Sequence, residues 1–356
     1  MFSADEYAQL RAFFAGRPAL APTPLRELPA LASHLGIGRL FAKDETGRFG
    51  LNAFKLLGAR FAVDALLKDG SIRPGATLAC ASEGNHGRAV ARAAKDSGCA
   101  ARVYLPHDAA PSRVDAIAAE GATVIKVEGS YDDAVRIMQA DAGTNQWTVV
   151  SDTAWDGYER IPRLIMLGYT HMLDEVEQSR TLSDGVAWDA IFVQGGVGGL
   201  LCAVASWCAF HTRGLHPRVI AVEPTSAACL QASARAGRPM AVTGPLTTKM
   251  AGLRNREVSP PAFMALLPNV DAFMAIDDAW SNEATRALGR PLADDPAIAA
   301  GASGAAALGG LLALCRDVSL ADARARLGLS STARVLVIVS EGVTDPEVWR
   351  TAIAGR

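Results

Sequence analysis

Between Ala76 and Asp152 the chain alternates short apolar, β-branched runs with stretches of helical length and spacing. TLACAS precedes a helix expected from Asn85 to about Ser97, and ARVYLP precedes one from about Ala110 to Glu120. ATVIKVE precedes a helix from Tyr131 to about Ala142, and WTVVSD closes the series. Strands separated in this way by helices pair in parallel through right-handed crossovers, so this region reads as a small α/β domain. Further along, DAIFVQ, PRVIAVEP and RVLVIVSEG are strands rich in β-branched residues. Runs of that kind belong to a parallel sheet covered on both faces, here a second and larger one. No internal repeat and no low-complexity linker marks a boundary. The small domain, residues 76–174, is therefore expected as an insertion in a large domain made of residues 1–75 and 175–356.

The remaining segments are read more coarsely. Pro18, Pro22 and Pro24 forbid a long helix near the start, where an extended strand and a short helix are expected before Gly36. RLFAKDETGRFG gives a strand from Arg39 to Lys43 and a polar turn. One long helix should follow Asp156, residues 245–297 read as loop and short helix, and PAIAAGASGAAALGGLLALC reads as a tightly packed helix of small residues.

Composition removes several function classes. Half of the 356 residues are hydrophobic, enough for a sizeable core, yet no apolar run approaches the ~20 residues of a spanning helix. MFSADEYAQL lacks the basic flank and apolar core of a secretory leader, so a cytoplasmic protein without membrane association is expected. Lys and Arg number 35 against 37 Asp and Glu with no basic block, which argues against a nucleic-acid partner. Cys80, Cys99, Cys202, Cys208, Cys229 and Cys315 lie singly, without C-x-x-C or a His at ligand spacing. They read as reduced core residues, and no metal site is expected.

Three stretches carry chemistry. In LNAFKLLGARF, residues 51–61, Lys55 starts an apolar helix for which Asn52 is the expected N-cap. A lysine there either snorkels to solvent or has its pKa lowered by desolvation, the condition for Schiff-base formation. In FVQGGVGGLLCAV, Gly195, Gly196, Val197, Gly198 and Gly199 follow a buried strand and open a helix. Backbone N–H groups and the helix dipole can converge there on a phosphate without a cationic side chain. The same run could instead serve a dinucleotide, with Glu223 at the end of the next strand as the ribose-binding acid, but G-x-G-x-x-G fails in both frames. In ASEGNHGRAVARAA, Glu83, Asn85 and His86 stand where a strand ends and a helix begins, the usual ligand edge of a parallel sheet. Ser82 reads as a cap and His86 as a structural neighbour of any ligand.

Lys55 in N-A-F-K, the S-x-G-N-H-G loop and the G-G-V-G-G loop, in this order, resemble the fold type II pyridoxal-phosphate (PLP) enzymes. That group includes tryptophan synthase β and the serine/threonine dehydratases. RFGLNAFK, E-G-N-H-G-R, S-D-T-A-W-D-G-Y-E-R-I-P and S-E-G-V-T-D-P are most similar to the diaminopropionate ammonia-lyase family, which has D-G-N-H-G-R and D-T-A-W-E-G-Y. The resemblance implies two three-layer α/β/α domains with parallel sheets and the cofactor between them, and a homodimer. It implies that Lys55 forms the Schiff base with PLP, that Asn85 bonds its phenolic oxygen, and that the amides of Gly195 to Gly199 hold its phosphate. Ser340 would face the pyridine nitrogen, and a neutral hydroxyl there favours rapid expulsion of a β-substituent. Glu83 stands where the family has the Asp that takes the α-proton of the D-isomer, and Asp152 matches the family Asp that holds the distal amino group.

The implied reaction is elimination from 2,3-diaminopropionate to pyruvate and two ammonia. The same core also serves serine or threonine dehydratases and cysteine-conjugate lyases. A nicotinamide-dependent oxidoreductase built on the glycine run and Glu223, and a PLP-binding protein without turnover, are the remaining readings.

Overall fold

In the computed structural model, residues 2–17, 20–82, 84–179, 187–211 and 216–355 are described. In chain order the elements begin α1 (Ala4–Ala15), β1 (Leu25–Glu27), α2 (Pro29–Leu35), β2 (Arg39–Asp44) and α3 (Lys55–Lys68). The alternating region follows as β3 (Thr77–Ala81), α4 (Asn85–Asp96), β4 (Ala100–Pro106), α5 (Pro111–Ala119), β5 (Thr123–Val127), α6 (Tyr131–Asn145) and β6 (Thr148–Val149). Then come α7 (Arg160–Tyr169), α8 (His171–Gln178), β7 (Ala190–Gln194), α9 (Gly199–His211), β8 (Arg218–Pro224) and α10 (Cys229–Ala236). The chain closes with α11 (Pro260–Leu266), β9 (Ala272–Ile276), α12 (Asp278–Gly289), α13 (Ala302–Arg316), α14 (Ala321–Arg326), β10 (Arg334–Val339) and α15 (Pro346–Ala354).

Two sheets result. The smaller has the order β5-β4-β3-β6 and is parallel throughout. The larger has the order β1-β2-β10-β7-β8-β9, parallel except where β1 pairs antiparallel with β2 at its edge. The chain divides into one unit of Met1–Ala4, Arg17–Phe54 and Thr170–Arg356, and another of Asp5–Gly16 and Lys55–Tyr169. The smaller unit thus begins at Lys55 rather than at residue 76, and takes in α1. The reason is packing around α3. Gly58 faces Gly168 of α7 so closely that a Cβ on Gly58 would lie 2.5 Å from Tyr169 Cε1 and 2.6 Å from the Ile165 carbonyl oxygen. A glycine inside a helix sacrifices roughly 1 kcal/mol of helix propensity, and here it permits backbone-to-backbone approach. Phe13 of α1 adds an edge-to-face contact with Phe61 of α3, the ring centroids 5.5 Å apart.

Local signals account for several ends. Ser130 and Asp133 form a reciprocal capping box at the start of α6, and Gly36 closes α2 in a left-handed conformation. In the small unit, Ala79, Ala81, Tyr104, Val127, Ala134, Met138 and Ala142 form a core between sheet and α6. In the large unit, α13 is buried along most of its length and packs its small side chains against the sheet beside Phe192, Ile220, Val222 and Val337. Three sequence expectations change. The helix expected after Asp156 is two, α7 and α8; the region read as loop and short helix holds, besides the short α11, the strand β9 and the longer α12; and β6 has only two residues. The alanine- and methionine-rich AFMAI is only partly buried as β9, so its signal lacks the β-branched density of its neighbours. No single helix among the described residues is long and apolar enough to cross a membrane. Cys80, Cys202, Cys208 and Cys229 are buried, while Cys99 and Cys315 are only partly so, and all six are free thiols.

Candidate active site

At the carboxyl end of the small unit's sheet, three side chains from separate segments meet. Lys55 opens α3, His86 is the second residue of α4 after β3, and Asp152 follows β6. Lys55 Nζ donates to Asp152 Oδ2 at 2.6 Å, with the two side chains 24% and 19% exposed. The charged pair is thus reachable from solvent, as a group that must meet a substrate has to be. His86 Nδ1 lies 3.7 Å from the same carboxylate oxygen, and its Nε2 donates to the Val150 carbonyl oxygen at 2.9 Å. The Tyr169 ring, its centroid 5.7 Å from Lys55 Nζ, adds a cation–π contact.

Electrostatics separate the partners. Burial pushes against ionisation of Asp152 and is outweighed by His86 and Lys55 beside it, which hold the carboxyl well below the usual range. Burial pushes the His86 imidazole below its ordinary value, and Lys55 acts in the same direction against the pull of Asp152. Asp152 therefore stays a carboxylate while the neighbouring ring favours its neutral form.

The loop holding Asp152 is itself clamped. Tyr158 Oη accepts from the Ser151 N–H at 2.9 Å and donates to the Val149 carbonyl at 2.9 Å, while its ring stacks on Trp155 with centroids 4.0 Å apart. That explains the T-A-W-D-G-Y segment physically: the aromatic pair fixes the backbone that aims Asp152. Asn85 is the first residue of α4, with Gly84 as N-cap. Ser82 Oγ accepts from the Gly84 N–H at 3.3 Å, a turn contact rather than the expected cap of α4. Glu83 lies outside the described residues.

The large unit carries the glycine loop between β7 and α9. Gly196 and Gly198 adopt φ of 62° and 95°, in the region that side chains rarely occupy. The Gly195 N–H is engaged with the Val222 carbonyl and the Gly198 N–H with the Gly195 carbonyl. The N–H groups of Gly196, Val197 and Gly199 bond to no other described residue, which leaves three donors at the start of α9. A Cβ on Gly196 would meet Asn255 Nδ2 at 3.2 Å, so the loop is shaped for a group resting on bare backbone. That donor set fits a phosphate. Ser340 follows β10 and is buried, and its carbonyl accepts from the Phe54 N–H at 3.3 Å. Asn52 is not the expected N-cap of α3. It sits at φ 59°, its carbonyl accepting from the Gly342 N–H at 2.8 Å, in a segment bridged through Ala53 and Glu341. The stretch leading to Lys55 is thus tied to the stretch that carries Ser340.

The oxidoreductase reading required Glu223 to be free for a ribose. Instead its carboxylate accepts from the N–H groups of Leu230 and Gln231 at 2.9 and 2.8 Å, at the start of α10, and burial pushes its pKa up to about 7. Met250 is fully buried, and the Gly252 N–H donates to Ser303 Oγ at 2.9 Å, which anchors a stretch in which Gly252, Arg254 and Arg256 stay exposed. Among the described residues no group of three or more His, Cys, Asp or Glu is gathered to hold a metal ion.

Residues 17–341 match the family described as pyridoxal-phosphate dependent enzyme. The diaminopropionate ammonia-lyase of Escherichia coli is 37% identical to this chain over 99% of its length and 92% of the relative's. That of Salmonella typhimurium is 35% identical over 97% and 91%. The crystal structure of the Escherichia coli enzyme in complex with an aminoacrylate-PLP azomethine reaction intermediate superposes with a TM-score of 0.91 at 36% identity, covering 100% of this chain and 93% of that one.

Proposed function

The chain belongs to the pyridoxal-phosphate dependent enzyme family, and from that premise we propose that it eliminates ammonia from 2,3-diaminopropionate, giving pyruvate and two ammonia. The observation that carries this is the Lys55–Asp152 pair, an amine and a carboxylate held 2.6 Å apart at the ligand edge of a parallel sheet. When bound, pyridoxal phosphate supplies the electron sink that makes the α-hydrogen of an amino acid acidic.

The protein's own residues supply the rest. Lys55 Nζ is the covalent anchor and, once released, the base for the α-proton of the L-isomer. Glu83 serves the D-isomer. Asp152 receives the distal ammonium, pairing its charge and orienting the Cβ–N bond that breaks. Asn85 would bond the cofactor's phenolic oxygen, and the free N–H groups of Gly196, Val197 and Gly199 would hold its phosphate, the loop being shaped by the left-handed Gly196 and Gly198. Gly195 and Gly198 shape that cradle, their own N–H groups being engaged. Ser340 would offer a neutral hydroxyl to the pyridine nitrogen, which would favour elimination over transamination. The reading extends to a homodimer in the cytoplasm acting in amino-acid catabolism, supported by the family resemblance and testable by sedimentation of the purified protein.

The test is the stoichiometry. Purified protein supplied with either enantiomer of diaminopropionate should release two ammonia per pyruvate, and borohydride should label Lys55. One ammonia per pyruvate from serine, with none from diaminopropionate, would assign the chain to the dehydratases instead. Pyruvate formation by a Lys55→Ala protein would overturn the mechanism.

A further inference from the structure

His86 is 5% exposed, and its two ring nitrogens have unequal surroundings. Nε2 faces the Val150 carbonyl oxygen at 2.9 Å, and a carbonyl only accepts, so Nε2 carries a hydrogen. Nδ1 is buried without a hydrogen-bond partner, 3.7 Å from Asp152 Oδ2. In the neutral ring this places a lone pair opposite a carboxylate. In the charged ring it places an N–H there, and a shift of roughly 1 Å would close an ordinary charge-assisted hydrogen bond.

The facing groups decide which form prevails. Burial opposes the imidazolium; Asp152, from the loop after β6, favours it; and the charge of Lys55, from α3, opposes it. Cys80 of β3, Tyr158 and Tyr169 also face Asp152, and burial pushes each of them up, away from ionisation. None of these can replace the Lys55 ammonium as the counter-charge. Once the lysine nitrogen is committed elsewhere, His86 is the other cationic group that acts on Asp152 among the described residues.

We propose that His86 is a positioning residue that takes up a proton on Nδ1 and holds Asp152 whenever Lys55 is bound to the cofactor, keeping that carboxylate charged and aimed for the distal ammonium of the substrate. The step adds one solvent proton to the Nδ1 lone pair and breaks no other bond. It rests on the reading of Lys55 as the covalent anchor.

The experiment is nitrogen NMR of the full-length protein labelled in histidine, titrated from about pH 5 to 9 with and without cofactor. Without cofactor, the His86 midpoint should lie below the ordinary imidazole value, the neutral ring carrying its hydrogen on Nε2. With cofactor bound, its midpoint should rise by at least about one pH unit, a tenfold change. Cofactor-free Lys55→Met should show the same rise, because the competing ammonium is gone. Identical titrations in all three, with borohydride labelling Lys55 normally in the wild type, would overturn the proposal and leave the anchor reading intact. An unlabelled Lys55 would bring down both. His86→Gln should lower kcat by up to about a hundredfold and remove the alkaline limb that loss of the Nδ1 proton gives the rate profile, since a carboxylate misplaced by ~1 Å can lose that much. A folded variant with an unaltered profile would mark His86 as packing only and overturn the proposal.

Discussion

Two clusters of opposite charges illustrate how differently buried ions can be used. In the large unit, Arg48 is wholly buried and forks onto Glu45 at 2.6 and 2.7 Å and onto Glu175 at 2.6 and 2.7 Å, with Lys43 donating to Glu175 at 2.5 Å. Thr23 donates to Glu45 and accepts from Arg48, and two cations balance two carboxylates. Such a network, closed and satisfied, fixes a loop and leaves nothing over for a ligand. In the small unit, Lys55 and Asp152 remain partly exposed, and the neighbouring imidazole presents a nitrogen with no partner. A structural cluster is complete in itself. The proposed catalytic one is left open, with room for a further charged group.

Breaking the reactive cluster should have the larger consequence for activity. Lys55→Ala should abolish turnover of diaminopropionate, a loss on the order of 10⁴-fold or more, equivalent to at least ~5 kcal/mol of barrier, while its urea midpoint stays near wild type. Breaking the structural cluster should do the reverse. Arg48→Met leaves Lys43 alone to balance two buried carboxylates, and should cost about 3–5 kcal/mol in urea unfolding. Adding Glu45→Met to it should recover part of that loss, because one uncompensated charge goes with it.

The framework that carries Lys55 can be strained without substituting a charged residue of either cluster. Gly58→Ala gains helix propensity but drives a methyl into Tyr169 and the Ile165 carbonyl, and should destabilise by roughly 1–3 kcal/mol. Glu223, a buried carboxylate with two backbone donors and no cation, supplies a pH-dependent contrast. Its folded pKa is raised, so folding favours its protonated form. The stabilisation it gives is full below the ordinary value near 4.5 and is lost as pH climbs towards about 7. Wild-type stability should therefore fall across that window with a slope of at most about 1.4 kcal/mol per pH unit from this group, and Glu223→Gln should flatten it in urea titrations. The smallest effect belongs to the surface pair Arg92–Asp96, one helical turn apart at 3.0 Å. Arg92→Ala should cost only about 0.3–0.5 kcal/mol, less in high salt.

Much of the proposed site could be picked out from the order of residues. Lys55, Asn85, Asp152, the glycine run and Ser340 all lie at or next to a turn between a strand and a helix, where local pattern is strong. The Arg48 network was not. RLFAKDETGRFG read as a strand and a polar turn, yet Lys43, Glu45 and Arg48 are among the most buried charged residues, because Glu175 meets them from 127 positions beyond Arg48. Nothing local encodes such a partner. The clamp made by Tyr158, the ring of Tyr169 over Lys55 and the glycine contact between α3 and α7 escaped the reading for the same reason.

From residue order alone follow the parallel alternation, the separate sheets and the family to which the chain belongs, since periodicity and turn chemistry act over a few neighbouring residues. Tertiary structure alone decided that Asn52 turns into a left-handed bend instead of capping a helix, that Glu223 is occupied, and that one histidine nitrogen faces a carboxylate without a proton between them. These depend on which distant groups are brought within 4 Å, where burial and charge are strong enough to choose a protonation state.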